Sequence, residues 1–261
     1  MDLDGQLVHK WALAAQPGNY AQLLPNGNLI VAMKTKEGPT HLAAKGGWMM
    51  ELDWHGKIVW EYKDDAQHHD FRRRSNGNTI YLTWKLLHKI ADTRVRAGRG
   101  DTEGNEGIWG DYIREVNAVG ETVWEWHADE HMQIENYPNC PLCSRVEWAH
   151  PNSIWPLENG DVLVSWRHNH LIAVIDRNSK KLKWEWCDPI LGHQHDFQAL
   201  DNGNYMVFAN GVHAPAPNNH SRVIEFILRL KKRYGSIPAH QSIHSIALSF
   251  QALSASGPVT R

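Results

Sequence analysis

The sequence predicts an all-β fold, a β-propeller, and three observations support that prediction. A segment that ends in Trp recurs four times, an Asn-Gly turn followed by apolar residues recurs after each such segment, and no stretch has the pattern of a long amphipathic helix. A repeat of this length is typical of folds that stack one small unit many times. About four short strands per unit, without helices, are typical of propeller blades.

The first recurring element is the Trp segment, which we interpret as a tight turn followed by a strand. In three of the four copies an Asp or Asn is followed within three residues by a Gly. Asn, Asp and Gly tolerate the positive φ of hairpin turns. A large aromatic ring fills the wedge between two neighbouring sheets, so we expect each Trp to pack between blades. The four residues are Trp11, Trp60, Trp124 and Trp184.

The second recurring element is the Asn-Gly turn, which is a strong short-range signal for a hairpin. The residues after each turn are apolar or alternate between apolar and polar, as expected for a strand that is buried on at least one face. Each unit therefore contains two hairpins. The turns begin at Asn26, Asn76, Asn159 and Asn202.

Two insertions interrupt the regular spacing. The distance from Trp to the next Asn-Gly is 15 to 18 residues in three units but 35 residues in the third, between Trp124 and Asn159. The other long stretch comes earlier in the chain and is centred on the Gly-rich and charged residues 94–110. In chain order, this stretch is the first insertion, and the one between Trp124 and Asn159 is the second. Long loops on a rigid repeat scaffold are usually functional or disordered, and we expect both to cover one mouth of the propeller.

The carboxyl end departs from the repeat. The segment 221–226 has the pattern of the opening of a fifth unit, but no further Trp or Asn-Gly follows it. We therefore expect about four blades and the start of a fifth in residues 1–226, followed by an aberrant, non-repeat tail in residues 227–261. Our interpretation is a propeller copy that is truncated or frame-shifted at its carboxyl end.

Composition excludes several functional classes. With 261 residues and a formal net charge of −2, the chain is long enough for one large all-β domain, and nothing favours binding to nucleic acid or to an anionic membrane. The sequence has neither a long apolar run nor a basic and then apolar amino terminus, so we predict no transmembrane helix and see no signal peptide.

The three cysteines leave several readings open. Cys140 and Cys143 form a single CxxC in the second insertion, and Cys187 stands alone. One CxxC is half a zinc site at most, and no nearby histidine lies at a familiar ligand spacing. A loop disulfide, free thiols and a metal are all compatible with the sequence, and a metal is the less favoured reading.

The histidines mark a candidate site. Counting back seven residues from each repeated Asn gives Asn19, His69, Asn152 and His195, so the repeat places polar groups at equivalent positions. In a propeller this position lies on the strand nearest the axis, where side chains of successive blades converge. Together with His150 and Arg167, these imidazoles suit an anionic ligand, because Arg offers a planar fork of donors and His adds donors whose charge changes near neutral pH.

These stretches resemble the bacterial arylsulfotransferase family, which transfers sulfate between phenols without a nucleotide donor. The resemblance rests on three motifs and covers roughly residues 1–226. They are His68-His69-Asp70-Phe71, Ala149-His150-Pro151-Asn152-Ser153-Ile154 leading to Ser165-Trp166-Arg167-His168, and His193-Gln194-His195-Asp196-Phe197.

The resemblance implies a six-bladed propeller, an active site in its central channel, and a ping-pong reaction through a sulfated histidine. It implies a phenolic sulfate ester as donor, a phenol as acceptor, and no metal or other cofactor. It also implies a periplasmic or secreted enzyme.

The resemblance also implies roles for particular residues. By position, His195 matches the family's nucleophile. The residues that match the set holding the sulfuryl group are His69 or its neighbour His68, His150, Asn152 and Arg167. Of these, we assign His69, His150 and Arg167 to catalysis and His68 and Asn152 to substrate binding.

Two other functions compete with this one. A non-catalytic propeller, either a binding module or a decayed copy of the enzyme, is favoured by the aberrant tail. A quinone-dependent dehydrogenase propeller carries similar Trp runs, but it needs acidic and amide ligands for a calcium ion, and the channel positions here are mostly histidine.

Overall fold

The computed structural model describes residues 2–100 and 107–228, together with the backbone of a strand at His244–Ile246. Within these residues the chain forms four antiparallel sheets of four strands each, and the strands of every sheet follow one another in chain order. The prediction of an all-β propeller is therefore confirmed. No helix among the described residues is long and apolar enough to cross a membrane.

Blades 1 and 2 are built from the first eight strands, and each blade begins with the strand nearest the axis. Blade 1 contains β1 (Pro17–Leu23), β2 (Leu29–Lys34), β3 (Gly47–Leu52) and β4 (Ile58–Lys63), and blade 2 contains β5 (Gln67–Arg73), β6 (Thr79–Leu86), β7 (Trp109–Val116) and β8 (Thr122–His127).

Blades 3 and 4 repeat this order with shorter strands. Blade 3 contains β9 (Pro151–Pro156), β10 (Val162–Trp166), β11 (Leu171–Ile175) and β12 (Leu182–Cys187), and blade 4 contains β13 (His195–Ala199), β14 (Tyr205–Ala209), β15 (Arg222–Phe226) and β16 (His244–Ile246).

The first strands of the blades pack against one another around a common axis. Strand β1 contacts β5, β5 contacts β9, and β9 contacts β13. The sequence position that recurs seven residues before each Asn-Gly turn lies on these four strands. Side chains from all four blades therefore converge, as the repeat predicted.

The Asn-Gly turns join the first two strands of each blade and also tie the turn to the third strand. In blade 1, the Asn26 side chain accepts a hydrogen bond from the Asn28 backbone N–H, and the Asn28 amide donates to the Glu51 carboxylate over 2.7 Å. Blades 2 and 4 repeat the second contact with the pairs Asn78 to Glu115 and Asn204 to Glu225.

The repeated tryptophans are half-buried and pack against the apolar clusters of the fold. Trp60 lies against a cluster shared by blades 1 and 2, Trp124 against one shared by blades 2 and 3, and Trp184 against one shared by blades 3 and 4. The Trp124 indole N–H also reaches across to the Arg177 carbonyl of the next blade, over 3.1 Å. Trp11 packs against the core of blade 1.

The two insertions are joined to each other by backbone hydrogen bonds. The Arg99 N–H donates to the Cys143 carbonyl, and the Trp109 N–H donates to the Val146 carbonyl. Residues 101–106 lie outside the described part of the chain. In their described residues, the insertions carry short helical segments, which are α1 (Ala91–Arg94), α2 (Ala128–His131) and a 3-10 turn at Ile134–Asn136.

The predicted opening of a fifth unit is wrong. Residues Arg222–Phe226 form β15, the third strand of blade 4, which pairs with β14 and β16. The Trp segment marks the fourth strand of a blade, so the strand just before a Trp segment completes a sheet and does not open a new one. Most of the predicted tail, residues 229–243 and 247–261, lies outside the described residues.

Candidate functional site

A cavity of about 640 Å³ opens where the first strands of the blades converge. Five of the six predicted site residues line it, which are His69, His150, Asn152, Arg167 and His195. Other lining residues were not assigned a role from the sequence, and they are Asn19, Tyr20, Ala43, Ala44, Asp70, Arg72, Ser153 and Asp196.

The inner strands break their regular pairing at the site. The register of β5 shifts between His68 and Phe71, and that of β13 shifts between His195 and Gln198. His69 within the first shift has a φ of 48°. Positive φ is uncommon for residues other than glycine, and a bulge re-aims the side chain that it carries. The bulges thus turn polar side chains of the inner strands toward the cavity.

His195 is held in one tautomer by a neighbouring amide. Its Nδ1 lies 2.7 Å from the Asn210 Oδ1, which is an acceptor, so Nδ1 must carry the proton and donate it. The other ring nitrogen, Nε2, then holds a free electron pair. The His195 ring, which lines the cavity, therefore has one ring nitrogen that is not engaged by Asn210.

His150 is backed by a buried carboxylate. Its Nδ1 lies 2.8 Å from the Glu147 Oε2, and the other carboxylate oxygen accepts the Trp84 indole N–H over 2.8 Å. The Trp84 contact makes Glu147 an acceptor, and the ionised form of Glu147 accepts from both neighbours. His150 therefore donates from Nδ1 and presents Nε2 on the side of the ring away from Glu147.

His68 lies behind the cavity wall and does not line it. It is fully buried, its ring stacks on Trp84 at 4.2 Å between centroids, and its Nδ1 lies 2.7 Å from the Nδ1 of His69. The Nε2 of His68 lies 3.0 Å from a carboxyl oxygen of buried Asp111. The structure thus places the His69 ring in the cavity lining and the His68 ring behind it, because the bulge at His69 turns these adjacent rings to different sides.

Burial keeps His69 and His150 neutral. It lowers the pKa of His150 to about 3, and the nearby Arg167 charge and His195 ring add to that shift. It also lowers the pKa of His69 well below the usual value, with His150 as the next cause. Burial disfavours the charged imidazolium, and neighbouring positive groups act in the same direction.

The two buried carboxyls have different surroundings. Burial raises the pKa of Asp111 well above the usual value, and the Glu147 charge adds to the shift. Burial also raises the pKa of Glu147, but the His168 and His69 rings and the Trp84 hydrogen bond oppose it. When two carboxyls are buried near each other, the one with more hydrogen-bond donors ionises first. Asp111 is therefore the carboxyl that keeps its proton.

Arg167 brings positive charge to the cavity. Among the described residues no carboxylate forms an ion pair with it within 4.0 Å, and its guanidinium is within hydrogen-bonding reach of the Cys143 thiol. Asn152 donates from its side-chain amide to the Gln194 carbonyl over 2.7 Å, which leaves its second N–H free. Both groups are donors suited to the oxygens of an anion.

A second guanidinium is neutralised in place. Arg72 contacts the Asp70 carboxylate at 3.1 Å and donates to the Tyr20 hydroxyl. Asp70 also accepts the Ile154 backbone N–H over 2.9 Å, and burial raises its pKa to about 6. This group ties the inner strands of three blades together, so Asp70 has a structural role.

The sequence did not reveal the residues that orient the site histidines. Glu147 and Asp111 lie at no counted repeat position. Trp84 and Asn210 each lie eight residues after the repeated Asn of their blade, as Arg167 does, but only the fold shows which rings they contact. A further weak signal exists, because Glu147 precedes His150 by three residues in the second insertion. Outside the cavity, the donor atoms of Cys140, Cys143, His193 and His213 lie within 4.8 Å of one another.

Comparison with known proteins gives one family match. The sequence model of the family described as Arylsulfotransferase (ASST) matches residues 1–191. No curated protein sequence matches the chain.

Several solved structures match the chain at low sequence identity. A protein of unknown function from Bacteroides caccae is 15% identical with a TM-score of 0.47, and the match covers 83% of this chain and 65% of that one. Virginiamycin B lyase from Staphylococcus aureus is 13% identical with a TM-score of 0.48, covering 91% of this chain and 57% of that one. A streptogramin B lyase is 12% identical with a TM-score of 0.45, covering 87% and 53%. The chain thus spans between 53% and 65% of the length of these structures.

Proposed function

The chain belongs to the arylsulfotransferase family, and we propose that its cavity moves a sulfuryl group from a phenolic sulfate ester to a phenol through a sulfated His195. The observation that carries this proposal is the fixed tautomer of His195, with Nδ1 bonded to Asn210 and Nε2 free. A donor-rich set of side chains lines the same cavity and suits the sulfate group.

In the first half-reaction, the electron pair on His195 Nε2 attacks the sulfur of the donor ester. The N–S bond forms, the bond between sulfur and the phenolic oxygen breaks, and the phenolate leaves. Arg167 and the free N–H of Asn152 hold the sulfuryl oxygens. The His195 ring becomes a sulfated imidazolium, and the Asn210 carbonyl stabilises its Nδ1–H.

In the second half-reaction, an acceptor phenol attacks the same sulfur and the N–S bond breaks. His150 takes the phenol's proton on Nε2, and the Glu147 carboxylate stabilises the resulting imidazolium. Between turnovers this imidazolium releases the proton to solvent, where the departed phenolate takes up a proton, so protons balance over a turnover. The low pKa of His150 makes it neutral in the resting site, the form that accepts a proton.

His69 is proposed as a further donor to the sulfuryl group. If Asp111 keeps its proton, the carboxylic acid donates to His68 Nε2, and His68 Nδ1–H donates to His69 Nδ1. His69 then carries its own proton on Nε2. In this scheme His68 positions His69 and does not bind substrate.

The test is a single-turnover experiment with 4-nitrophenyl sulfate. Without an acceptor, we expect a burst of at most one 4-nitrophenol per chain, and with a phenol present we expect continued release. A donor labelled with ³⁵S leaves acid-labile label on the parent chain and none on His195→Ala. His55→Ala, which changes an exposed turn residue, is the matched control and should keep both phases.

Continued turnover by His195→Ala would contradict the proposed nucleophile. Binding of the ester without any release, in a folded parent chain, would support the non-catalytic alternative instead.

A further inference from the structure

Four side chains of metal-ligating type converge outside the cavity. The Sγ of Cys143 lies 3.2 Å from the Nε2 of His193, and the Sγ of Cys140 lies 3.3 Å from the Nδ1 of His213. One donor atom of each residue lies within 4.8 Å of the other three. In a tetrahedral zinc site, bond lengths of about 2.3 Å to sulfur and about 2.0 Å to nitrogen separate these atoms by roughly 3.6 Å. The cluster therefore has the dimensions of a zinc site.

The backbone is built to bring the two histidines together. The loops that carry them meet at Gly192 and Gly211, where a Cβ added to Gly192 would lie 2.5 Å from the Gly211 Cα. His193 and His213 follow these glycines closely, and both have positive φ, of 60° and 61°. Such conformations cost free energy and persist where the surrounding structure enforces them.

The two cysteines are presented by a tight turn of the second insertion. The Cys143 N–H donates to the Cys140 carbonyl, and the Cys140 N–H donates to the His168 carbonyl of blade 3. Both cysteines are free thiols in the structure and are buried, with exposed fractions of 4% and 7%. His193 is also buried, whereas His213 is exposed and offers a route for an ion to enter.

We propose that Cys140, Cys143, His193 and His213 bind one zinc ion in a closed, four-coordinate structural site. Thiolate and imidazole donors in a two-plus-two set are characteristic of structural zinc. On binding, the two thiols release their protons to solvent and the two imidazoles bind through neutral nitrogens. No ligand position is left for substrate.

The ion would join three segments that are far apart in the sequence, which are the second insertion and the loops that carry His193 and His213. His193 lies 50 residues from Cys143, and His213 lies 73 residues from Cys140. The second insertion would be bound to two loops of blade 4, one of which leads directly into β13. This inference is independent of the proposed sulfuryl transfer, because none of the four residues acts on substrate in that scheme.

The test is the metal content of the full chain, purified without chelators and dialysed against metal-free buffer. We expect one zinc per chain in the parent, and less than a tenth of that in the double variant Cys140→Ser, Cys143→Ser. His213→Ala, which changes an exposed side chain, should weaken zinc binding at least tenfold. The matched controls Cys187→Ser and His55→Ala should keep one zinc.

Cobalt substitution gives a second readout that does not depend on activity. Added Co²⁺ should produce the intense visible bands of tetrahedral cobalt and a sulfur-to-cobalt charge-transfer band, and the double cysteine variant should lose that band. If that variant fails to fold, the parent spectrum and the His213→Ala titration decide.

Three results would overturn the proposal. They are a parent chain that holds no zinc and gives no cobalt spectrum, a folded double variant that keeps its zinc, or a disulfide between Cys140 and Cys143 in protein purified without reductant.

Discussion

At the residue scale, two buried carboxyls lie behind the cavity wall, Glu147 next to His150 and Asp111 next to His68, and their surroundings favour opposite proton states. Glu147 accepts hydrogen bonds from His150 and Trp84, which stabilise a carboxylate. Asp111 is 2% exposed, and burial raises the pKa of its carboxyl well above the usual value, so the neutral acid is favoured. In the proposed reaction, Glu147 stabilises His150 when it takes up a proton, and Asp111 orients His68, which remains neutral.

This difference predicts unequal effects of replacing each carboxyl by its amide. Glu147→Gln removes the charge that stabilises the His150 imidazolium, so we expect kcat to fall about a hundredfold. Asp111→Asn keeps a donor facing His68, so we expect a loss of only a few-fold. Steady-state kinetics with a phenyl sulfate donor measure both, with Glu158→Gln as an exposed control. Equal losses in the two variants would contradict the assignment of proton states.

At the element scale, glycines with positive φ serve two different purposes. In the Asn-Gly turns, Gly77 has a φ of 85° and an added Cβ would meet nothing within 4 Å, so only the backbone conformation requires glycine. At Gly192 the φ is 56°, and an added Cβ would also collide with the backbone of Gly211. The first position is a hairpin turn, and the second is a close crossing of two loops.

Alanine substitutions should separate these two roles. Gly77→Ala should lower the free energy of unfolding by about 1 kcal/mol, the cost of positive φ for a residue with a Cβ. Gly192→Ala should lower it by at least about 3 kcal/mol, because backbone must also move. Urea unfolding monitored by tryptophan fluorescence gives both values. Similar costs at the two positions would show that the loop crossing is not tightly packed.

At the scale of the whole molecule, the convergence of blades buries neutral histidines at the centre of the fold. A histidine whose pKa is lowered by folding binds fewer protons in the folded state than in the unfolded chain. Stability is therefore lost as the pH falls below the unfolded pKa of about 6.5, and the loss continues until the folded pKa is reached. His69 is such a group, since burial lowers its pKa well below the usual value.

His69→Asn should make this acid sensitivity weaker. Asn tolerates the positive φ at this position and does not titrate. Between pH 8 and pH 5 the parent should lose up to about 2 kcal/mol more stability than the variant, the free energy of protonating one histidine in the unfolded chain. The urea concentrations at the unfolding midpoint, measured across this pH range, test this prediction. At pH 8 the difference in stability between parent and variant reports packing alone. Parallel profiles would contradict the prediction.

The sequence by itself determined the fold class and placed the site on the inner strands of the blades. Hairpin turns and strand patterns are local, so the Asn-Gly and Trp repeats predicted four-stranded blades, and counting from Asn76 and Asn202 placed His69 and His195 on inner strands. Family motifs that include His150, Asn152 and Arg167 supplied three further residues of the cavity lining. The repeat wrongly assigned β15 to a fifth unit, because a sequence repeat gives the length of a unit but does not show which strand begins the sheet.

Only the tertiary structure showed which groups orient those histidines and which histidines lie next to Cys140 and Cys143. Glu147, Asp111 and Asn210 act through contacts across different strands and loops, and these depend on bulges and positive φ that sequence patterns do not encode. The same holds for His193 and His213, which meet Cys143 and Cys140 across 50 and 73 residues. Side-chain chemistry at close range depends on distances, and distances between remote segments are set by how the blades pack.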